Sequence, residues 1–207
     1  MATSKNKVLL TIAFAALLLA IPILYAWHHP QKGPALPTYG TVPTATFTDQ
    51  RGQTFHLDSL RGKVWVADFI FTACRDICPA LTQQMKRLQD DLRRNSVQDV
   101  MLVSLSVDPT TDTPQALTAY AAKVSADPTN WVFLTGDLQT IEGTIVKGFR
   151  VSLDRAKEPA PAQGQESLLS ITHGNRFVLV DRAMNIRGYY DVTAEGLDVI
   201  LKDLKRI

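Results

Sequence analysis

The pattern of apolar positions changes character several times along the chain. The first stretch has no period: Val8 to Trp27, VLLTIAFAALLLAIPILYAW, runs twenty residues without a charge. As a helix it is about 30 Å long, the hydrocarbon thickness of a bilayer. Tyr25 and Trp27 fall where an aromatic belt lies, and Lys5 and Lys7 precede the run. The pattern predicts one transmembrane helix with its N-terminus in the cytoplasm and the rest of the chain outside. The rival is a cleaved signal peptide, whose shorter apolar core ends in a small-x-small site. The bulky Leu-Tyr-Ala-Trp ending favours the anchor, and no cysteine lies there to carry a lipid. His28 to Pro43, with four prolines and two glycines, reads as a linker. The chain thus divides into a tip and anchor (1–27), a linker (28–43) and one domain (44–207).

Within the domain the period alternates between strand and helix. Phe47 to His56 alternates around the turn signal Asp49-Gln50-Arg51-Gly52 and predicts an N-terminal β-hairpin. Lys63 to Phe71, KVWVADFIF, is almost continuously apolar, the mark of a strand buried on both faces. A helix from Ala80 to about Arg94 follows, with Leu81, Met85, Leu88 and Leu92 on one face. Asp99 to Val107 is a second buried strand and Asp108 to Pro114 a loop. Pro114 opens a helix to about Val124, capped by Thr113. Trp131 to Leu134 is a short strand and Asp137 to Phe149 a helix. Leu153 to Ser170, rich in Ala, Pro, Gln and Gly, is an inserted loop. Arg176–Val180 and Ile186–Tyr190 are strands about a tight turn, and Thr193 caps a last helix to Leu204. The order β-α-β-α-β-α-β-β-α is that of an α/β domain with parallel and antiparallel strands.

Composition narrows the chemistry. The chain has 22 basic and 20 acidic residues, and Lys5 and Lys7 account for the difference. A neutral body argues against nucleic-acid binding through phosphate neutralisation. The only thiols, Cys74 and Cys78, cannot build a disulfide scaffold or a four-cysteine zinc site. They follow a central strand and open a helix, where ligand sites gather and thiolate is favoured, with Arg75 adjacent. Read on their own, they form a structural or reversible disulfide, a thiol–disulfide exchange pair or part of a metal site. Two thiolates and one imidazole make a soft three-coordinate set suited to copper. His173, just before the Arg176 strand, is the candidate imidazole. His56 lies in the hairpin, and His28 and His29 lie beside the membrane span. Asp76, between the cysteines, is either a tuning charge or a solvated loop carboxylate. Asp108 and Asp112 are expected to hold their loop by side chain to backbone bonds. Trp65, Met85 and Trp131 are expected in the core.

Four ordered segments carry a family resemblance. Phe71–Met85, FTACRDICPALTQQM, resembles the copper-site segment of the Sco/SenC family, close to FT-x-C-x-x-x-C-P. Ser106–Pro114, SVDPTTDTP, is similar to that family's S-V-D-P-x-x-D-T-P loop. Phe133–Asp137, FLTGD, and His173 ahead of the strand ending Val180-Asp181 match two further segments. Arg75 stands where members often have Pro, and Thr172-His173-Gly174 where they often have Asp-His-Ser. The resemblance covers about residues 42–207. It implies a thioredoxin-like fold with an N-terminal hairpin extension and an inserted loop, behind one transmembrane helix. It implies copper, Cu(I) and Cu(II), held by Cys74, Cys78 and His173, with Arg75 and Asp76 around the site. The implied role is a membrane-anchored chaperone delivering copper to the binuclear copper centre of cytochrome c oxidase. The domain would sit on the periplasmic face of a bacterial inner membrane. Its partners would be the copper-bearing oxidase subunit, with another copper chaperone or a thioredoxin-like reductant. Two other functions fit the same residues. One is a thiol–disulfide oxidoreductase acting through Cys74 and Cys78 on a partner's copper-site cysteines; the other is a redox or copper sensor.

Overall fold

The computed structural model of the protein describes residues 18, 20, 21, 34–73, 77–97, 99–151, 154, 155, 169, 170 and 176–207. The predicted anchor, apart from three of its residues, the start of the linker and most of Leu153–Ser170 lie outside the described residues. No helix among the described residues is long and apolar enough to cross a membrane.

The proline-rich segment joins the domain sooner than its composition predicts. Gly40–Thr41 form a short strand, β1, inside the expected linker. Leu36 and Val42 on either side are buried. The N–H groups of Tyr39 and Val42 donate to the carbonyls of Ile186 and Met184, both at 2.9 Å. Prolines are tolerated here because β1 is an edge strand.

The hairpin forms as expected from β2 (Thr46–Asp49) and β3 (Thr54–His56). A 3₁₀ turn, Leu57–Leu60, leads to β4, Val64–Ile70, all seven residues of which are buried. Helix α1 runs Ile77–Arg94, three residues ahead of the predicted start. Pro79 does not delay it, because a proline in the first turn removes an N–H that has no helical partner anyway. Next come β5 (Val100–Ser106), α2 (Pro114–Lys123) and β6 (Trp131–Thr135). The Thr113 hydroxyl accepts from the Ala116 N–H at 3.2 Å, the expected cap.

The helix predicted over Asp137–Phe149 begins as α3, Leu138–Glu142, and then widens into a π-helical turn over Gly143–Gly148. Gly148 runs so close to Pro43 that a Cβ there would lie 2.5 Å from the proline Cδ. Short strands β7 (Asp154–Arg155) and β8 (Leu169–Ser170) pair with each other apart from the main sheet. They are followed by β9 (Arg176–Val180), β10 (Asn185–Asp191) and α4 (Ala194–Leu204), the last capped by the Thr193 hydroxyl.

The main sheet has the order β1-β10-β9-β4-β5-β6-β2-β3. β4, β5 and β6 are parallel, and β4 meets β9 antiparallel. Alternation along β4 splits the core in two. Trp65, Ala67 and Phe69 face one layer with Ile141, Ile145 and Phe149. Val64, Val66 and Ile70 face the other, with Leu81, Met85, Leu88 and Leu92 of α1 and Leu197 and Ile200 of α4. Trp131 is buried in this second layer, as expected. Both faces are covered, which explains why the β4 sequence is apolar without alternation.

Two glycines in the widened turn should respond oppositely to alanine. Gly148→Ala should cost about 1–3 kcal/mol through overpacking against Pro43. Gly143 has open space where a Cβ would stand, with nothing within 4 Å, so Gly143→Ala should be neutral or gain up to about 1 kcal/mol. Urea unfolding of both variants checks the contrast.

Candidate functional site at the end of the central strand

The loop that carries the cysteines leaves the sheet at the C-terminal end of β4. Cys78 is the second residue of α1, so its backbone lies in the first helical turn. Cys74, Arg75 and Asp76 lie outside the described residues, as does His173. The register Trp65↔Val180, Val66↔Leu179, Ala67↔Val178 sets the start of β9 beside the end of β4. His173 precedes Arg176, the first residue of β9, by three positions. The segments bearing Cys74 and His173 therefore adjoin, in sequence, described backbone at the same end of two neighbouring central strands. His56 belongs elsewhere: it is on the far edge strand β3, with Nδ1 3.1 Å from the Thr46 hydroxyl. Among the described residues no cluster of three or more His, Cys, Asp or Glu could hold a metal.

The described flank of the cysteine loop is clamped. Asp112 is fully buried. Its carboxylate accepts from the Thr72 N–H at 3.0 Å and the Thr72 hydroxyl at 2.6 Å. It also accepts from the Ser106 hydroxyl at 2.5 Å. The Ser106 oxygen in turn accepts from the Asp108 N–H at 3.1 Å. Burial pushes the Asp112 carboxyl above the usual range, and the hydroxyls of Ser106 and Thr72 pull it back. Asp112 was expected to hold only its own loop. Its side chain instead spans to Thr72, two residues before Cys74, and fixes where the cysteine loop begins. Asp108 contributes through its backbone carbonyl, which accepts from the Thr111 and Asp112 N–H groups. Asp137 of the FLTGD segment is a helix cap, accepting from the Thr140 N–H at 3.0 Å.

One buried group escaped the sequence reading. Asp68 lies in the middle of β4 and is fully buried. Neither carboxyl oxygen has a hydrogen-bond partner among the described residues. By alternation it shares the α1-facing side with Val66 and Ile70. Its register neighbour on β5 is Ser104, whose oxygen accepts from the Trp131 Nε1–H at 2.9 Å. Burial pushes the Asp68 carboxyl up to about 7. The signal was present in the sequence: a lone carboxylate within the apolar run KVWVADFIF.

Residues 38–207 match the model of the SCO1/SenC family. A SCO1 protein homolog of Bacillus subtilis is 38% identical over 166 residues, covering 79% of this chain and 81% of its own length. A Stutzerimonas stutzeri protein named for copper binding is 29% identical over 171 residues, covering 82% and 79%. The solved structure of BsSco is described as that of a member of the Sco family of cytochrome c oxidase assembly proteins with a disulfide switch. It aligns with a TM-score of 0.70 at 34% identity, over 85% of this chain and 97% of its own. The likeness bears out the α/β, thioredoxin-like fold expected from the motifs.

Burial of Asp68 makes stability depend on pH. Its folded carboxyl stays protonated to about pH 7, whereas the unfolded group ionises near 3.8. The folded state therefore binds the extra proton between these values, and the contribution of Asp68 to stability falls as pH rises through that window. The stability of Asp68→Asn relative to wild type should rise by up to about 4 kcal/mol from pH 4 to pH 7 and change little above. Denaturant unfolding across pH checks both direction and window.

Proposed function

This chain belongs to the SCO1/SenC family, and from that premise we propose that it carries copper to cytochrome c oxidase. Cys74, Cys78 and His173 hold the ion, and the recipient is the copper-bearing oxidase subunit at its binuclear centre. The observation that carries the reading is that the C-terminal end of β4 lies beside the start of β9, with the α1 first turn following the β4 exit. The segment bearing Cys74 follows that end of β4 in the sequence, and the segment bearing His173 precedes β9. The copper-binding name of the Stutzerimonas relative and the oxidase-assembly description of BsSco support the cargo and the destination. Two thiolates suit Cu(I), and an added imidazole makes the divalent ion tolerable.

A second reading has its own support. The disulfide switch described for BsSco favours thiol–disulfide chemistry at the same pair. In this reading Cys74 and Cys78 reduce the cysteines of a partner's copper site and so prepare it for metal. In both readings Val8–Trp27 anchors the chain in a bacterial inner membrane, with the domain on the periplasmic face.

Copper titration of the full chain tests the ligand set. His173→Ala should weaken Cu(II) binding severely and spare Cu(I) more, whereas Cys74→Ser or Cys78→Ser should weaken both. Wild-type Cu(II) affinity in His173→Ala, with oxidase assembly intact, would remove the three-ligand site and leave the reductase reading. Fractionation with N-terminal sequencing tests the anchor, and a membrane-free product beginning after Tyr25 would defeat it.

A further inference from the structure

The two ends of the central sheet differ in how they meet the rest of the chain. β4 runs about 20 Å from Val64 to Ile70, and the cysteine loop follows its far end. Its near end is tied to the β9–β10 turn, where the Gly62 N–H donates to the Arg182 carbonyl at 2.9 Å. Trp65, Val180 and Ile186 lie side by side just inside that end. The chain enters the domain here. Arg187, early in β10, donates to the Leu36 carbonyl and, at 3.0 Å, to the Thr38 hydroxyl. The same guanidinium pairs at 3.4 Å with Asp181, the residue before Arg182. The entry of the chain and the exit to the cysteine loop therefore lie at opposite ends of β4.

Charge is divided between the same two ends. Four exposed cations gather at the entry end: Lys63 before β4, Arg182 in the β9–β10 turn, and Lys202 and Lys205 at the end of α4. α4 follows β10, packs on it and runs back along it, which returns its last turn toward this end. None of the four has an ion pair among the described residues. The other cations here are matched: Arg61 by Asp58, Lys86 and Arg93 by Asp90, and Arg94 by Asp91. Asp99 and Asp127 oppose them, and line a cleft of about 410 Å³ together with Lys63, Lys86 and Arg93. The far end leans the other way. Asp108 follows β5, Asp137 follows β6 and Glu195 opens α4, while Arg176 is paired with Asp191. An anionic surface is thus attracted at the entry end and repelled at the other.

We propose that the entry end of the domain is a docking surface for the anionic phospholipid headgroups of the bilayer that carries the chain, an inference that rests on the membrane-anchor reading above. Eight residues, 28–35, separate the Val8–Trp27 run from Leu36. Fully extended, they reach no more than about 29 Å, so the entry end cannot leave the neighbourhood of the headgroups. An exposed Lys or Arg gains from anionic lipid within a Debye length, about 8 Å at physiological salt. Four such groups bind a free domain weakly, but a tether keeps the lipid at high effective concentration and lets them orient it. Docked this way, the domain turns its cysteine end away from the lipid and toward a partner's exposed domain.

The test uses the full chain in nanodiscs, one set of phosphatidylcholine alone and one containing about one-quarter phosphatidylglycerol, a bilayer with a negative surface potential. Both sets carry the same trace of a gadolinium-chelating lipid, and amide NMR relaxation reports which end lies near it. In the phosphatidylglycerol discs, relaxation enhancement at Gly62, Lys63 and Arg182 should exceed that at Ala73, Thr111 and Glu195 at least about fivefold, given the roughly 20 Å between the ends. The contrast should shrink in phosphatidylcholine discs and in about 0.5 M NaCl, which screens beyond about 4 Å. The double variant Lys63→Glu/Arg182→Glu, changed only at exposed positions, should lose it in phosphatidylglycerol discs as well. Equal enhancement at both ends overturns the docking surface and leaves the anchor reading standing. A contrast that persists unchanged in phosphatidylcholine discs or in the double variant does the same, because the tether alone would then orient the domain. A chain recovered free of the discs overturns the anchor reading, and this inference with it.

Discussion

The structure is organised by the burial of β4 on both faces. Seven consecutive residues, Val64 to Ile70, are closed off from water, so every backbone group along them must be paired. β5 supplies that pairing in parallel on one side and β9 antiparallel on the other. The parallel neighbour requires a crossover, and α1 is that crossover, laid over one face by Leu81, Met85, Leu88 and Leu92. The antiparallel neighbour has a different effect. It brings Arg176, the first residue of β9, to the end of β4 that the chain leaves at Phe71. Two segments a hundred residues apart in sequence thereby share one end of a strand. The central pairing is thus a stability device that also decides which loops can cooperate.

Asp112 and Asp68 show two uses of a buried carboxylate in that frame. The burial of Asp112 is offset by three hydrogen bonds, which join the loop after β5 to the loop after β4. It sets position. Asp68 has no such compensation among the described residues, and it avoids a buried charge by holding a proton near neutral pH. It sets a charge state that can change. The difference lies in the neighbours: Asp112 reaches a free N–H at the strand end, whereas mid-strand N–H groups are committed to the ladder.

Much of this fold was legible because its apolar periods are long. The run through β4, the α1 face and the caps at Thr113 and Thr193 each follow from local chemistry and form as expected. The misses came where distant contacts override local preference. Gly40–Thr41 reads as linker, yet β10 offers it open edge bonds. The helical pattern reads from Ala80, yet α1 starts at Ile77 with Pro79 inside its first turn. At the candidate site, the thiols and His173 stood out as rare reactive residues in recognisable motifs. The bridge from Asp112 to Thr72 crosses 40 residues and has no local signature. Asp68 was visible as a lone acid in an apolar run, but its meaning depends on which side of the sheet it faces.

The π-helical turn at Gly143–Gly148 fixes a phase. By adding a residue to the winding, it points Phe149 inward, where its ring meets Trp65 at 5.8 Å and Phe69 at 5.1 Å, both edge-on. Deleting one residue would tighten the turn to an ordinary helix and swing every later side chain by about 100°. Phe149 would leave the two β4 aromatics, and the chain entering the long inserted segment would depart in another direction. Length in this short stretch is therefore constrained more tightly than composition: substitutions there alter packing, whereas a one-residue change in length re-aims the segment that leads to His173.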